Sequence, residues 1–366
     1  MGGKLKPVTI GSVLSIEDIT AWYNDNPILP TKAEVSFPIV QNMKSTTWKT
    51  ISNPTTALNE AADHMSLNSV IPVSGRPGYQ SVIGEMTTFG KGYEWTADEI
   101  EKYNELKINF QQLQNASAAQ ALLDFYGDDL KKIRLSMVAQ MAYIGWSLLS
   151  SACKYSFISA NSIYMQGITA MEYPVAAWQK DDVGTSWANP AALILDDIQG
   201  ILDVGEAHSK MYTVIKINQT WFNYVRKNTQ IKNQTITLIG SLVGADNSPN
   251  LAQINEMLVS YFDTNVIFEV INEKVTREDL EGAKTTANPF QDGVAVFAQS
   301  TEVGHFEWNK IPIIDPTREV YESFFLTGNY TQIDPSYAKI YGKARAFSVV
   351  DTYADNFYLK INAVPW

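Results

Sequence analysis

Apolar residues recur every three or four positions through residues 117–153, along Leu123, Tyr126, Leu130, Ile133, Met137, Met141, Ile144 and Leu148. This is the pattern of one buried face on a single α-helix, and at 1.5 Å per residue it predicts a rod roughly 50 Å long. Ser117 with Gln120 has the spacing of a capping box at its start, and Thr96 with Glu99 has the same spacing at the start of a shorter helix through Leu113. Ahead of both helices, residues 64–73 and 79–89 are rich in β-forming side chains and flank Ser74-Gly75-Arg76-Pro77-Gly78. That turn chemistry predicts a hairpin. Neither strand alternates cleanly between apolar and polar, so the hairpin has little greasy face of its own and needs a surface to lie on.

Residues 1–44 lack sustained periodicity beyond a short helical candidate at 16–23, and Pro7, Pro27, Pro30 and Pro38 break them. They read as an arm. Ordering backbone costs about 1–2 kcal/mol per residue, so such an arm is ordered only where it lies on its own core or on a neighbour. After the rod comes an irregular, aromatic-rich connection containing Tyr164, Tyr173, Trp178 and Trp187, and then a helix opened by Asn189-Pro190 and running to Gly205. An alternation follows: strand 212–217, helix 219–227, strand 235–239, helix 251–261, strand 266–271, which predicts a compact α/β lobe. The last quarter is mainly extended, at 293–299, then past a turn at Gly304 around 315–330, at 344–351 and at 356–361.

A chain of 366 residues that is 45% hydrophobic can bury one large core or two to three smaller ones. Its longest apolar run, at 141–149, is too short to cross a bilayer. The start, Met1-Gly2-Gly3-Lys4-Leu5-Lys6-Pro7, has no apolar secretory core and reads as that of a chain made and used in a cytoplasm. A net charge of −11 disfavours tight phosphate binding, which needs clustered Lys and Arg.

Cys153, the single cysteine, sits on the apolar end of the rod and reads as a buried, inert thiol. His64, His208 and His305 have no metal-ligand spacing, and there is no nucleophile elbow, phosphate loop or dinucleotide fingerprint. The pairs Asp128-Asp129, Asp181-Asp182 and Asp196-Asp197 read as solvated helix ends or loops. Nine Trp and 18 Tyr are scattered through every segment, which suits interface and core anchors better than one sugar-stacking groove. No catalytic, cofactor-binding or metal-binding residue is assigned, and the chain reads as a non-enzyme.

The succession of parts, a proline-broken arm, a hairpin, a capped short helix, a long spine helix, an α/β lobe and closing strands, resembles the major capsid proteins of tailed bacteriophages with the Hong Kong 97-type fold. The lambda shell protein typifies the nearest family. The stretches that carry the resemblance are 70–79 (Val-Ile-Pro-Val-Ser-Gly-Arg-Pro-Gly-Tyr), 95–100 (Trp-Thr-Ala-Asp-Glu-Ile) and 292–297 (Asp-Gly-Val-Ala-Val-Phe) followed by Gly304. The resemblance implies an α+β fold with an N-terminal arm at 1–44, an extended loop at 45–95 and a peripheral domain with the spine helix at 96–188. It further implies an axial domain at 189–290 and closing strands at 291–366 that return to the peripheral and axial sheets.

The implied function is self-assembly, as pentamers and hexamers, into an icosahedral head that encloses double-stranded DNA without binding it specifically. Scaffolding, portal and decoration proteins are the further partners, no membrane is involved, and the location is the virion after assembly in a host cytoplasm. The extended-loop tip, Ser74, Gly75, Arg76, Pro77, Gly78 and Tyr79, is the implied inter-subunit contact, with Arg76 the candidate for an ion pair. Two alternatives come from other classes: an encapsulin-like shell holding protein cargo, and a carbohydrate-active enzyme.

Overall fold

A computed structural model of the chain describes residues 30–42, 45–52, 80–113, 116–156, 170–239, 248–278, 284–313, 319–322, 324–332, 337–364 and 366. In chain order, helix α1 (Lys32–Ser36) leads to strands β1 (Ile39–Gln41), β2 (Thr47–Ser52), β3 (Gln80–Glu85) and β4 (Thr87–Trp95). Helices α2 (Ala97–Leu113) and α3 (Ala116–Ser150) follow, and then the short strands β5 (Lys154–Ser156), β6 (Ala170–Glu172) and β7 (Lys180–Asp182). Next come α4 (Ile194–Ala207), β8 (Val214–Asn218), α5 (Gln219–Val225), α6 (Thr229–Ile239), α7 (Leu251–Phe262) and β9 (Ile267–Ile271). The rest is extended: β10 (Val275–Glu278), β11 (Lys284–Ala287), β12 (Val294–Ala298), β13 (Gly304–Asn309), β14 (Glu319–Glu322), β15 (Phe325–Gln332), β16 (Tyr337–Val350) and β17 (Phe357–Lys360).

The rod is α3, 35 residues long, or about 52 Å. Leu130, Ile133, Met137, Met141, Ile144 and Leu148 of the expected seam are all buried. The side chains of Leu123 and Tyr126 lie outside the described set. The helix begins at Ala116, so Ser117 is inside it, and Gln120 donates to Asp124. The other expected box is present: Thr96 Oγ1 accepts from the Glu99 amide at 3.3 Å, and the Glu99 carboxylate accepts from the Thr96 amide at 2.8 Å. The Thr96 amide and hydroxyl, both donating to the Glu99 carboxylate, hold that carboxyl below its ordinary pKa.

Two hydrophobic cores result. The larger lies between α3 and a six-stranded sheet ordered β1-β13-β16-β15-β14, with β4 on the free edge of β16. Ala338, Ile340, Ala344 and Ala346 of β16 are buried, and the Ser348 hydroxyl donates to the Met141 carbonyl at 2.6 Å, so the even positions of this strand face the rod. The second core lies in a five-stranded sheet ordered β7-β17-β12-β8-β9 that packs with helices α4 to α7. Its central strands read as near-continuous apolar runs because both faces are covered.

The segment expected as strand 235–239 is helical, part of α6. Its β-branched residues suggest a strand locally, but Ile231 and Thr235 are buried one turn apart, and the Thr235 and Thr237 hydroxyls donate back to the Ile231 and Asn233 carbonyls. Tertiary burial outweighs propensity here. A second departure is α1, a single turn in the expected arm, capped by reciprocal hydrogen bonds between Thr31 and Glu34. Gly304, expected as a turn, opens β13. The helical candidate at 16–23 and the strand at 64–73 lie outside the described residues.

Candidate functional site

The expected strand 79–89 is present as β3 and the start of β4, but its partner is β2 and not the expected 64–73; this β2–β3 ribbon is the root of the intervening segment. β2 and β3 pair antiparallel from Thr47 opposite Glu85 to Ser52 opposite Gln80, so the intervening chain leaves and returns at one point. The six expected contact residues, Ser74, Gly75, Arg76, Pro77, Gly78 and Tyr79, are outside the described residues, and so is most of the expected arm. What the structure brings together instead is the anchorage of the root.

Because side chains alternate across a strand pair, Trp48, Thr50 and Gly84 share one face of the root, and Lys49, Ile51, Ile83 and Glu85 share the other. The first face is tied down. Trp48 is fully buried, stacked on Phe347 with ring centroids 5.2 Å apart and an interplanar angle of 3°, and on Tyr173 at 5.7 Å. Gly84 lies directly against the indole, where a Cβ would come within 2.5 Å of the ring. On the second face, Ile51 and Ile83 are 59% and 61% exposed. Two β-branched apolar side chains held out to solvent on a rigid ribbon form a surface suited to a partner.

Beside Trp48 runs a polar chain. The Thr50 hydroxyl donates to Asp351 at 3.0 Å, the other oxygen of Asp351 meets His305 Nδ1 at 2.6 Å, and His305 Nε2 faces Glu307 at 3.4 Å. The Asn42 amide donates to Glu307 at 2.6 Å and to the Thr47 carbonyl at 3.2 Å. Both ends of β2 are thereby linked through one imidazole to β13 and to the turn after β16. Burial by itself pulls the His305 pKa down, but the hydrogen bond to Asp351 and the charges of Asp351 and Glu307 together raise it above 6.5.

A histidine with a raised folded-state pKa stabilises fully below its unfolded value, and that stabilisation fades as pH rises through the folded value. Melting temperatures of the chain and of His305→Gln are therefore expected to differ most near about pH 6 and to converge by about pH 8. A gap that is independent of pH would show that the imidazolium does not fasten the root.

A second constellation joins the two lobes through α1. Lys32 Nζ donates to the Val270 carbonyl at 2.7 Å, the Ala33 amide donates to Glu273, and Glu34 pairs with Arg134 of the rod at 2.7 Å. Glu273 also accepts from the Trp146 indole at 2.8 Å. Lys216, fully buried in β8, donates to Glu269 at 2.7 Å and to the Ser36 hydroxyl at 3.1 Å, with its ammonium 5.5 Å from the Trp146 ring centroid. Phe37 fills the remaining space, edge-on to Trp146 and stacked on Phe306. Local sequence holds one hint of this joint, a lone Lys inside the apolar run Val214-Ile215-Lys216-Ile217.

The remaining sequence candidates fall into structural positions. Cys153 is fully buried; burial pushes its thiol up to about 12, against the opposing effect of the Tyr358 hydroxyl 3.1 Å away. Asp129 accepts from the Trp95 indole and pairs with Lys132, and Asp197 accepts from the Trp187 indole. Trp48, Trp146 and Trp187 are wholly inside the cores. Among the described residues no group of His, Cys, Asp and Glu is placed to hold a metal ion, and no helix is long and apolar enough to cross a membrane.

A long central rod, an anchored two-stranded ribbon and a separate α/β lobe define an α+β architecture. No family model and no curated protein matches the sequence. Solved structures do. The protein assigned as the capsid protein of a prophage in Escherichia coli CFT073 superposes with a TM-score of 0.55 at 10% identity, over 95% of this chain and 99% of the other. A phage-related protein from Bordetella bronchiseptica RB50 gives 0.52 at 8% identity, over 95% and 97%. The chain has the fold that these two phage-related proteins share.

Proposed function

We propose that this chain is the major capsid protein of a tailed bacteriophage or prophage, an α+β subunit of the Hong Kong 97 type. Copies of it close as pentamers and hexamers into an icosahedral head around double-stranded DNA. The observation that carries this reading is the fold match to a prophage protein assigned as capsid over 95% of this chain and 99% of the other. The rooted hairpin adds support, since its outward face exposes Ile51 and Ile83 with no internal surface to cover them among the described residues.

In this reading residues 1–44 are the N-terminal arm, 45–95 the extended loop, 96–188 the peripheral domain and 189–290 the axial domain, with 291–366 returning strands to both sheets. The subunit acts as a wall and carries no catalytic centre. Its partners are other copies of itself, with scaffolding, portal and decoration proteins, and it resides in the virion after assembly in the host cytoplasm.

Negative-stain microscopy of the expressed chain, alone and with the products of neighbouring genes, tests the reading: closed particles are expected. Deleting residues 74–78 is expected to leave a soluble, folded subunit that forms no closed shells, because a truncated loop cannot reach its neighbour. Normal particles from the deletion would remove Ser74, Gly75, Arg76, Pro77 and Gly78 from the contact. A wild-type chain that stays monomeric under all conditions would overturn the shell itself.

A further inference from the structure

Among the described residues, the face of β16 turned away from the rod is covered at one end only. Trp48 sits on Phe347, whereas Lys339, Tyr341, Lys343 and Arg345, at alternate positions on the same face, are half-exposed. The neighbouring strands withdraw their side chains here. Gly92 and Gly90 of β4 lie opposite Tyr341 and Lys343, and Gly328 of β15 lies opposite Tyr341 on the other side. Lys339 leans across Gly92, where a Cβ would come within 2.3 Å of its Cε, and Tyr341 lies over Gly328, where a Cβ would come within 2.5 Å of the ring. Lys343 Nζ stands 4.8 Å from the Tyr341 ring centroid. The result is a shallow trough of about 520 Å³ floored by glycine backbone and walled by lysine.

Lys339, Lys343 and Arg345 form no ion pair within the chain among the described residues. In a chain of net charge −11, three unneutralised cations along one strand face are matched most simply from outside it. The same chain carries the complement. On α2, Asp98, Glu101 and Glu105 are exposed, stand one turn apart on one side, and likewise form no ion pair among the described residues. The opposite side of α2, with Ile100, Tyr103, Leu106 and Phe110, packs into the core with the rod. Asp98 is explained by the helix dipole at the first turn, but Glu101 and Glu105 lie beyond that influence. Asp98 to Glu105 covers about 10 Å along a helix, and Lys339 to Arg345 about 20 Å along a strand, so the two outer cationic side chains lean about 5 Å inward to meet the carboxylates.

We propose that this trough is a docking surface for a second copy of the chain, which seats the carboxylate side of its helix α2 on Lys339, Lys343 and Arg345. The contact is head-to-tail, so repetition about an axis closes a ring of subunits. It rests on the shell reading above and names one of the contacts that would hold such a shell together.

The test uses the full chain. K339Q/K343Q/R345Q and, separately, E101Q/E105Q are expected to keep the wild-type melting temperature yet give at least about tenfold fewer particles near 0.1 M salt, where exposed charges still act over about 10 Å. Should either variant fold poorly, the charge swap K339E/K343E/E101K/E105K carries the decision, since restored particles require the two surfaces to meet. Wild-type yields from both neutral variants, or failure of a folded charge swap to recover, overturns the contact. So does loss of duplex DNA binding by K339Q/K343Q/R345Q with assembly untouched, which would assign the trough to phosphates. If the wild-type chain makes no particles, the shell reading fails by itself. Sedimentation at low salt then still reads the contact, as self-association that the neutral variants lose or, against it, keep.

Discussion

Replacing Trp48 with alanine is expected to lower the unfolding free energy of the soluble subunit by about 3–5 kcal/mol, the range for removing a fully buried large aromatic. The indole is held between Phe347 of the largest sheet and Tyr173, with Gly84 directly against it, so no neighbour can collapse into the space it leaves. The consequence extends beyond stability. Trp48 is the apolar rivet between β2 and β16, and without it the root is held by the hydrogen bonds of Thr50 and Asn42. Trp48→Phe is the control: the indole N–H has no acceptor among the described residues, so a phenyl ring loses volume and no hydrogen bond. Urea titration should therefore rank wild type above phenylalanine above alanine, with alanine also failing to assemble at temperatures where it remains folded. Equal midpoints for all three would mean that the hairpin root is not anchored by this stack.

The second large effect belongs to the joint between the lobes. Glu269→Ala is expected to cost about 3 kcal/mol, the lower part of the range for breaking a buried ion pair, since Glu269 is 19% exposed. The cost comes from the ammonium left behind. Burial already holds the Lys216 pKa below its ordinary value, with Glu269 acting in the opposite direction, so removing the carboxylate leaves the penalty against only the Ser36 hydroxyl and the Trp146 ring. The double variant Lys216→Met with Glu269→Leu should recover most of the loss, because two apolar groups of similar size need no partners. Denaturation midpoints of the two variants decide it. A double variant as unstable as the single one would place the cost in packing and not in the unpaired charge.

These two sites also show where sequence reasoning stops. The rod was legible because its signal is local: a 3.6-residue apolar period and, at α2, a cap three residues long. The β8 and β9 strands were legible for the same reason, as short apolar runs between turn residues. The α6 helix was misread because Thr235, Ile236, Thr237 and Ile239 favour strands locally, and only burial of Ile231 and Thr235 against the lobe reverses that preference. The joint is less legible still. Lys216 meets a carboxylate 53 residues away and a hydroxyl 180 residues away, separations that no window along the chain spans. Within the expected arm, α1 did carry a local sign, the Thr31 and Glu34 box directly after Pro30. Residues 79–89 are legible as extended, but their partner is not: β3 pairs with Thr47–Ser52, upstream of the 64–73 strand that composition suggests, and the turn at 74–78 lies outside the described residues.

The threading of strands between the two sheets governs when the molecule can be finished on the ribosome. Among the described residues β7 finds its parallel partner only in β17, roughly 180 residues later, and β4 finds its partner only in β16, roughly 250 residues later. At about 5–20 residues per second that is a wait of about 12–50 s. Throughout it the edge of β4 stays open and the large core has no floor. The late strands therefore impose a delay between the making of β4 and the closing of the large core.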